Sequence, residues 1–509
     1  MLKKLSVLFS LTVLALLCSI GASAGFLLDD KPYVEDEKTK IIDHVVYKLY
    51  EYPKGNRYYE VYDWFDTYEA SETVEEINIV PEIDGIKVTK IQNIEPLSDP
   101  EYWKNKNYSV KKVTIPDTIT EIGSYFFSVL DGVEELTIPA SVKKFTGDGI
   151  SGSEMTTFVE MESLKKITFL GNLEELGGFY NCKKLETVVL KGDVDNVTMC
   201  AFTGCASLKN FDFSKIKGSV SSYAFSDTGF TSVTIPAKFF RNLAFKDCKK
   251  LTEVIITSGK KDHVNLNYGV FYNCTALKTV TLPKSCKDVT VDREAFKNCT
   301  SLKTVIFPES CKNFTIKEKM FINCKSLSNV TFPTTCEKMT VNEEAFRNCK
   351  ALTSVKFPAT CKKLTIGNDA FRNCTSLKKV TFPKTTDGVT VGYRGFRNCK
   401  NLTTLYYTSN IEKIYGGAFR DCASLTSFCV SDKIKIIGKN AFYNCKKLKT
   451  FTINGTTKYP QIYKNAFYNT AKGITFTAKN ENIAKKWKSE LKASGLKNMK
   501  VRYVKYYNV

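Results

Sequence analysis

Four blocks, AFKNCTSLKTVIFP, MFINCKSLSNVTFP, AFRNCKALTSVKFP and AFRNCTSLKKVTFP, begin at Ala295, Met320, Ala345 and Ala370, each 25 residues after the last. A unit this short cannot close a core of its own, so copies at a fixed period bury their apolar faces against one another as a solenoid. The period sets the fold class before any single residue is considered. It also limits a functional reading, because a solenoid presents a long surface and its repeats do not name a ligand.

Within one unit the apolar positions are Cys299, Leu302, Val305, Phe307, Cys311, Phe314, Ile316, Met320 and Phe321. Val305 and Phe307 follow the two-residue alternation of a short strand. Pro308 ends that strand, Phe314 and Ile316 begin a second alternation, and a Met-Phe-x-Asn-Cys corner carries the chain to the next rung. One unit is therefore one turn of a coil.

The pattern C-x-x-L-x-x-V-x-F-P, followed by a turn and A-F-x-N-C, resembles the BspA-like branch of the leucine-rich-repeat family, and most of residues 77–476 fit it. The resemblance implies a repeat solenoid of the β-rich leucine-rich-repeat (α/β) class, a right-handed coil with parallel short strands. It also implies a surface adhesin that recognises extracellular-matrix or cell-surface proteins. Gly395 stands where Ala is usual, Asp247 and Asp421 replace Asn, and Thr228 occupies a Cys position. These departures should bend or loosen the coil locally. Units run at 23 residues from Cys182 through Cys205 to Thr228, slip near Cys248, hold 25 from Cys274 to Cys399, and return to 23 through Cys422 and Cys445.

The ends differ from the repeats. Lys3 and Lys4 precede an apolar run at residues 5–20, and Ala22, Ser23 and Ala24 supply small residues for cleavage, so residues 1–24 read as a signal peptide. The chain is then secreted or cell-surface, with no transmembrane segment in its mature part. Residues 25–86 carry 16 acidic against 6 basic side chains, a net of −10, although the whole chain is at +21. An acidic N-terminal capping region at 25–75 holds two aromatic, β-branched runs, 45–50 and 58–65, across Pro53 and Gly55; they predict a β-hairpin covering the first rung of a solenoid spanning 76–478. Beyond it, Ile483, Trp487 and Leu491 are four apart, and residues 501–506 alternate like a strand, so 479–509 read as a helix-strand cap.

Of 18 cysteines, 17 lie outside the leader. An exported chain invites disulfides, yet Cys274, Cys299, Cys324, Cys349, Cys374 and Cys399 form one column, and Cys286, Cys311, Cys336 and Cys361 form another whose place Ile411 and Ile434 take in shorter units. A cysteine alternating with aliphatics acts as a small buried hydrophobe. Rungs about 4.8 Å apart would still permit a bridge between neighbours. No C-x-x-C pair suggests a metal, no cofactor motif appears, and His44 and His263 are the only histidines available to a nucleophile. The chain reads as non-enzymatic.

Two columns face outward. Thr290, Thr315, Thr340, Thr365 and Thr390 lie on second strands, where β-propensity alone explains them. The variable residue of A-F-x-N-C is Lys297, Ile322, Arg347, Arg372, Arg397 and Arg420 in succession. Stacked guanidinium groups repel unless something anionic or hydrogen-bonding crosses them. Solvated positive charge is the plain reading. The functional one makes Lys297, Arg347, Arg372, Arg397 and Arg420, joined by Lys325, Lys350 and Lys400, an edge for an extracellular protein or anionic glycan, with no nucleic acid expected as the physiological partner. The Asn of each corner is expected to bond the backbone of adjacent turns. The expected function is adhesion or protein binding outside the cell. The alternatives are a structural surface-layer or matrix component, or a binder of anionic glycans.

Overall fold

Val305 lies 1 % exposed and Ile306 beside it 59 % exposed, so the strand Thr304–Ile306 turns one side to the core and one to solvent, as the alternation predicts. Equivalent strands of successive turns pair in parallel and in register: Val280 with Val305, Val305 with Val330, Val355 with Val380 and Val380 with Leu405. A second parallel sheet stacks Phe314, Met339, Leu364 and Val389 in the same way. Identical lengths bring identical side chains level, which is why the alignment holds over the 25-residue units.

The A-F-x-N-C corner makes the third side of each turn. Phe296 and Asn298 donate their amides to the carbonyls of Met320 and Ile322, at 3.0 and 2.9 Å, and Phe321 and Asn323 repeat this toward Ala345 and Arg347. The corner bends at two residues in the left-handed region, Glu294 at φ 59° and Asn298 at φ 64°, and each later turn repeats the pair. Asn tolerates that conformation better than most side chains, which accounts for its recurrence at the second bend.

The structure is a computed structural model that describes residues 33–503, apart from 52–55, 64–73, 93–109, 146–156, 237–239, 258–262, 284–287, 310–312, 455–459 and 479–480 and positions 129, 131, 385, 432, 495 and 497. The signal peptide expected at 1–24, Cys286 and Cys311 lie outside the described residues. The chain divides into two units, Met1–Phe225 and Ser226–Val509. The division falls beside Thr228, where the repeat spacing shortens to 20 residues before Cys248.

In Met1–Phe225, strands Tyr33–Ile42, Val45–Glu51 and Arg57–Asp63 form an antiparallel set. The hairpin expected from the aromatic runs is there, and Tyr33–Ile42 adds a strand that was not expected. Asp43 and His44 join the first two strands with φ of 47° and 65°, the two positive angles a tight hairpin turn requires. Arg57–Asp63 then pairs in parallel with Ile86–Ile91, the first solenoid strand of that sheet, which pairs in turn with Glu121–Ile122. The antiparallel set therefore covers the sheet edge with backbone hydrogen bonds as well as side chains. Inside the rungs Phe127, Phe158, Phe179, Phe202 and Phe225 stack with centroids 4.6 to 5.4 Å apart.

In Ser226–Val509 the corner phenylalanines stack without a break from Phe245 to Phe467, centroids 5.1 to 5.7 Å apart. Aromatic burial of this extent supplies much of the core's hydrophobic stabilisation. The last turns end in Ile474–Ala478, the helix Glu481–Ala493 and the parallel strand Met499–Tyr503. Ala484, Trp487 and Leu491 face inward, with Trp487 against Phe451 and Phe476 at 6.0 and 5.6 Å. Among the described residues no helix is long and apolar enough to cross a membrane.

Candidate functional site

The corner asparagines form a ladder of their own. Asn323 donates through Nδ2 to Asn298 Oδ1 at 2.8 Å, Asn348 to Asn323 at 2.7 Å, Asn373 to Asn348 at 2.8 Å and Asn398 to Asn373 at 2.9 Å. Side chain bonds side chain here, correcting the expectation that these amides cap the backbone; the axial backbone bonds of the corner already engage their own N–H groups. One N–H and one acceptor lone pair per internal amide remain outside the ladder.

This ladder floors a shallow groove of about 620 Å³, lined by the asparagines from Asn273 to Asn398, by Thr300 and Thr375, and by Lys325 and Lys350. The lining holds cations, hydroxyls and amides and no carboxylate. Among the described residues Lys325 and Lys350 have no ion-pair partner, whereas Lys165, Lys166, Lys209, Lys362 and Lys435 all meet a glutamate on the neighbouring turn. The positive charge of the groove is therefore open to an outside anion.

The arginine row forms on the adjacent position of the same corners. Lys297, Arg347, Arg372, Arg397 and Arg420 have side chains 24 to 34 % exposed. They are not the uncompensated stack that spacing alone suggests. Lys297 meets Glu294 at 3.1 Å, Arg347 bonds Glu344, and Asp369 joins Arg372 at 3.4 Å and Arg394 at 2.7 Å. Arg397 and Arg420 share Asp421, at 3.7 and 3.5 Å through Nε. Burial opposes protonation of Lys297, but the hydrogen bond and the charge of Glu294, with Tyr272 and Tyr268 nearby, together outweigh it and raise its pKa above the usual lysine value. Burial, with the charges of Arg420 and Arg372, holds the Arg397 guanidinium below its ordinary value. The row runs on into aromatic rings: Arg420 lies 4.5 Å from the Tyr443 centroid, and Tyr443 stacks on Tyr468 at 5.3 Å, which adds cation–π attraction.

Glu294, Glu344 and Asp369 escaped the sequence reading because each stands three residues before its partner, among ordinary surface acids. The signal that finds them is the left-handed corner itself: the bend at Glu294, Glu344 or Asp369 places that side chain beside the variable residue of A-F-x-N-C.

The cysteine column is buried and donates hydrogen bonds inside the coil, from Cys299 to Phe271 O and from Cys324 to Phe296 O at 3.2 and 3.1 Å. No disulfide joins the described cysteines. Among the described residues no three His, Cys, Asp or Glu side chains converge as metal ligands. His44 sits at the hairpin turn and His263 begins the strand His263–Leu266.

The family description "BspA type Leucine rich repeat region" matches residues 99–174, 154–252, 175–291, 218–342 and 339–474. The chain belongs to the BspA type leucine rich repeat family. Solved structures similar to this BspA type chain include a leucine rich cell surface protein of Faecalibacterium prausnitzii, at 21% identity over 74% of this chain and 96% of that one, with a TM-score of 0.39. A leucine-rich repeat protein of Bacteroides ovatus is 20% identical over 72% of this chain and 94% of its own, with a TM-score of 0.41. The pneumococcal vaccine antigen PcpA is 16% identical over 92% and 99%, with a TM-score of 0.36. No curated protein gives a significant match.

Proposed function

We propose that this chain is an exported, non-enzymatic binding protein that adheres to acidic extracellular macromolecules, at the cell surface or after secretion. The observation that carries the reading is the groove over the asparagine ladder, where Lys325 and Lys350 have no ion-pair partner among the described residues and the lining is free of carboxylates. Its support comes also from the leader-like residues 1–24 and from membership of a repeat family with an extended surface. The arginine row contributes less, since its guanidinium groups already meet Glu344, Asp369 and Asp421. Long-range attraction from the basic chain would speed encounter with such partners.

Binding of the full mature chain to arrays of extracellular proteins and glycans, at low and high salt, tests this. Selective ligands whose retention falls with salt and falls further in a Lys325→Ser, Lys350→Ser, Lys400→Ser variant are expected. Self-association with no selective ligand would replace the reading by a structural surface-layer role.

A further inference from the structure

We infer that the asparagine groove takes a linear anionic polysaccharide laid along the solenoid axis, its hydroxyls on the amides and its acid groups on the lysines; this rests on the acidic-partner reading above. The groove offers the right chemistry for a glycan and the wrong chemistry for a peptide strand. A peptide that adds to a sheet edge needs unpaired backbone donors and pockets for alternate side chains. Here the asparagine amides of the corner are paired along the axis. Asn298 and Asn323 donate to Ile322 and Arg347 of the next turn, and on the far side of the cysteines Ser326 and Ala351 donate to the Thr300 and Lys325 carbonyls. The lining contains no apolar side chain, so nothing in it would seat the alternate residues of an extended peptide.

Among the side chains, one N–H and one lone pair remain on each internal amide, with the Lys ammonium groups and the Thr300 hydroxyl oxygen, which donates its own proton to Thr275 O and can still accept. These are partners for hydroxyl, carboxylate and sulfate groups. The amides are pre-ordered by their ladder of 2.7 to 2.9 Å bonds, so a ligand need not freeze them on binding. Rungs recur at about 4.8 Å, which sets a repeating row of hydrogen-bonding positions along an extended chain. Charge is sparser than the amides: Lys325 and Lys350 occupy neighbouring turns, Thr375 the next, and Lys400 the one after. The arrangement therefore suits a polymer with many hydroxyls and fewer acid groups better than one carrying an acid at every unit.

The test immobilises the full mature chain and measures binding of polygalacturonate, dextran sulfate, neutral dextran and poly-L-glutamate at two salt concentrations. The expected result is saturable binding of at least one anionic polysaccharide, none of neutral dextran, and poly-L-glutamate weaker by about tenfold. The Lys325→Ser, Lys350→Ser, Lys400→Ser variant should lose about tenfold in affinity, and Thr300→Val with Thr375→Val should weaken the polysaccharide alone. All five positions are surface side chains, and an unchanged thermal transition confirms folding. Poly-L-glutamate binding as tight as the polysaccharide, with the same lysine dependence, overturns the glycan assignment and leaves the acidic-partner reading standing. Binding of no anionic probe, or binding indifferent to the lysines, overturns both.

Discussion

The Cys299 thiol donates to the Phe271 carbonyl oxygen across 3.2 Å, and that same oxygen accepts the Cys274 amide at 3.3 Å. Cys324, Cys349, Cys374 and Cys399 repeat the thiol contact with Phe296, Phe321, Phe346 and Phe371 at 3.1 to 3.2 Å. A buried carbonyl has two lone pairs, and the corner supplies only one amide to it. Cysteine is apolar enough to bury beside the phenylalanine stack and still carries a proton for the second lone pair. A valine would fill the space and leave the oxygen half satisfied.

Burial pushes the thiols of Cys299, Cys324, Cys349, Cys374, Cys399, Cys422 and Cys445 far above their ordinary value of 9.0. Unfolded, each thiol titrates near that ordinary value; folded, each keeps its proton. Their contribution to stability is thus complete below pH 9.0 and is lost as pH rises beyond it, by about 1.4 kcal/mol per pH unit for each thiol. The denaturation midpoint of the reduced chain should fall steeply above that pH, and Cys374→Val should lower the slope by one thiol. The column should also resist alkylation until the chain unfolds, after the partly exposed Cys200 and Cys429 have reacted. A midpoint flat through the thiol range would contradict this account.

Cys361 belongs to the second column and donates to Lys363 O at 3.1 Å, and one turn later Thr386 makes the equivalent bond to Gly388 O at 3.2 Å. In these 25-residue units the site therefore accommodates a short donor, and sulfur is one of two ways to supply it. Cys361→Thr is expected to change stability by less than about 0.5 kcal/mol, and Cys361→Ala to cost about 1–2 kcal/mol through a lost hydrogen bond and a small void. Urea unfolding followed by far-ultraviolet circular dichroism separates the two.

Asn348 does two things at once: it holds φ 65° and links Asn323 to Asn373 through its side chain. Alanine would be strained in the left-handed region and would break the ladder on both sides, at a cost of about 2–3 kcal/mol. Aspartate should cost less, because Asp421 already stands in this column and accepts from Asn444 at 2.9 Å. Hydrogen exchange of the Phe346 and Asn373 amides would show the alanine variant opening locally while distant turns stay protected.

Strand pairing was legible because Val280, Val305 and Val330 recur at one spacing, and a period of 25 leaves one in-register solution. The inward phenylalanines and cysteines followed from the same columns. Tyr33–Ile42 was not legible, since Glu35, Asp36 and Glu37 interrupt any apolar alternation there; pairing with Val45–Glu51 overrides that weak local preference. The asparagine ladder was half legible. A polar residue at every corner announced a shared structural role, but only the left-handed backbone decides that its partner is the next asparagine.

Asp369 is the counter-ion of Arg372 in the arginine row and of Arg394 beside it, and provides the row's sharpest test. Its carboxylate is 2 % exposed and meets both Arg372 and Arg394, and its backbone lies at φ 52°, which asparagine also tolerates. Asp369→Asn therefore preserves shape and removes only the charge. Two guanidinium groups lose their counter-ion, and because both are partly exposed the expected destabilisation is about 2 kcal/mol, below that of a fully buried pair. The row simultaneously gains one net positive charge, so dextran sulfate should be retained to higher salt by the variant than by the parent chain. If the row is merely solvated charge, stability falls and retention is unmoved. If it is an anion-binding edge held in check by its own carboxylates, the less stable protein binds the polyanion more tightly, and the two measurements move in opposite directions.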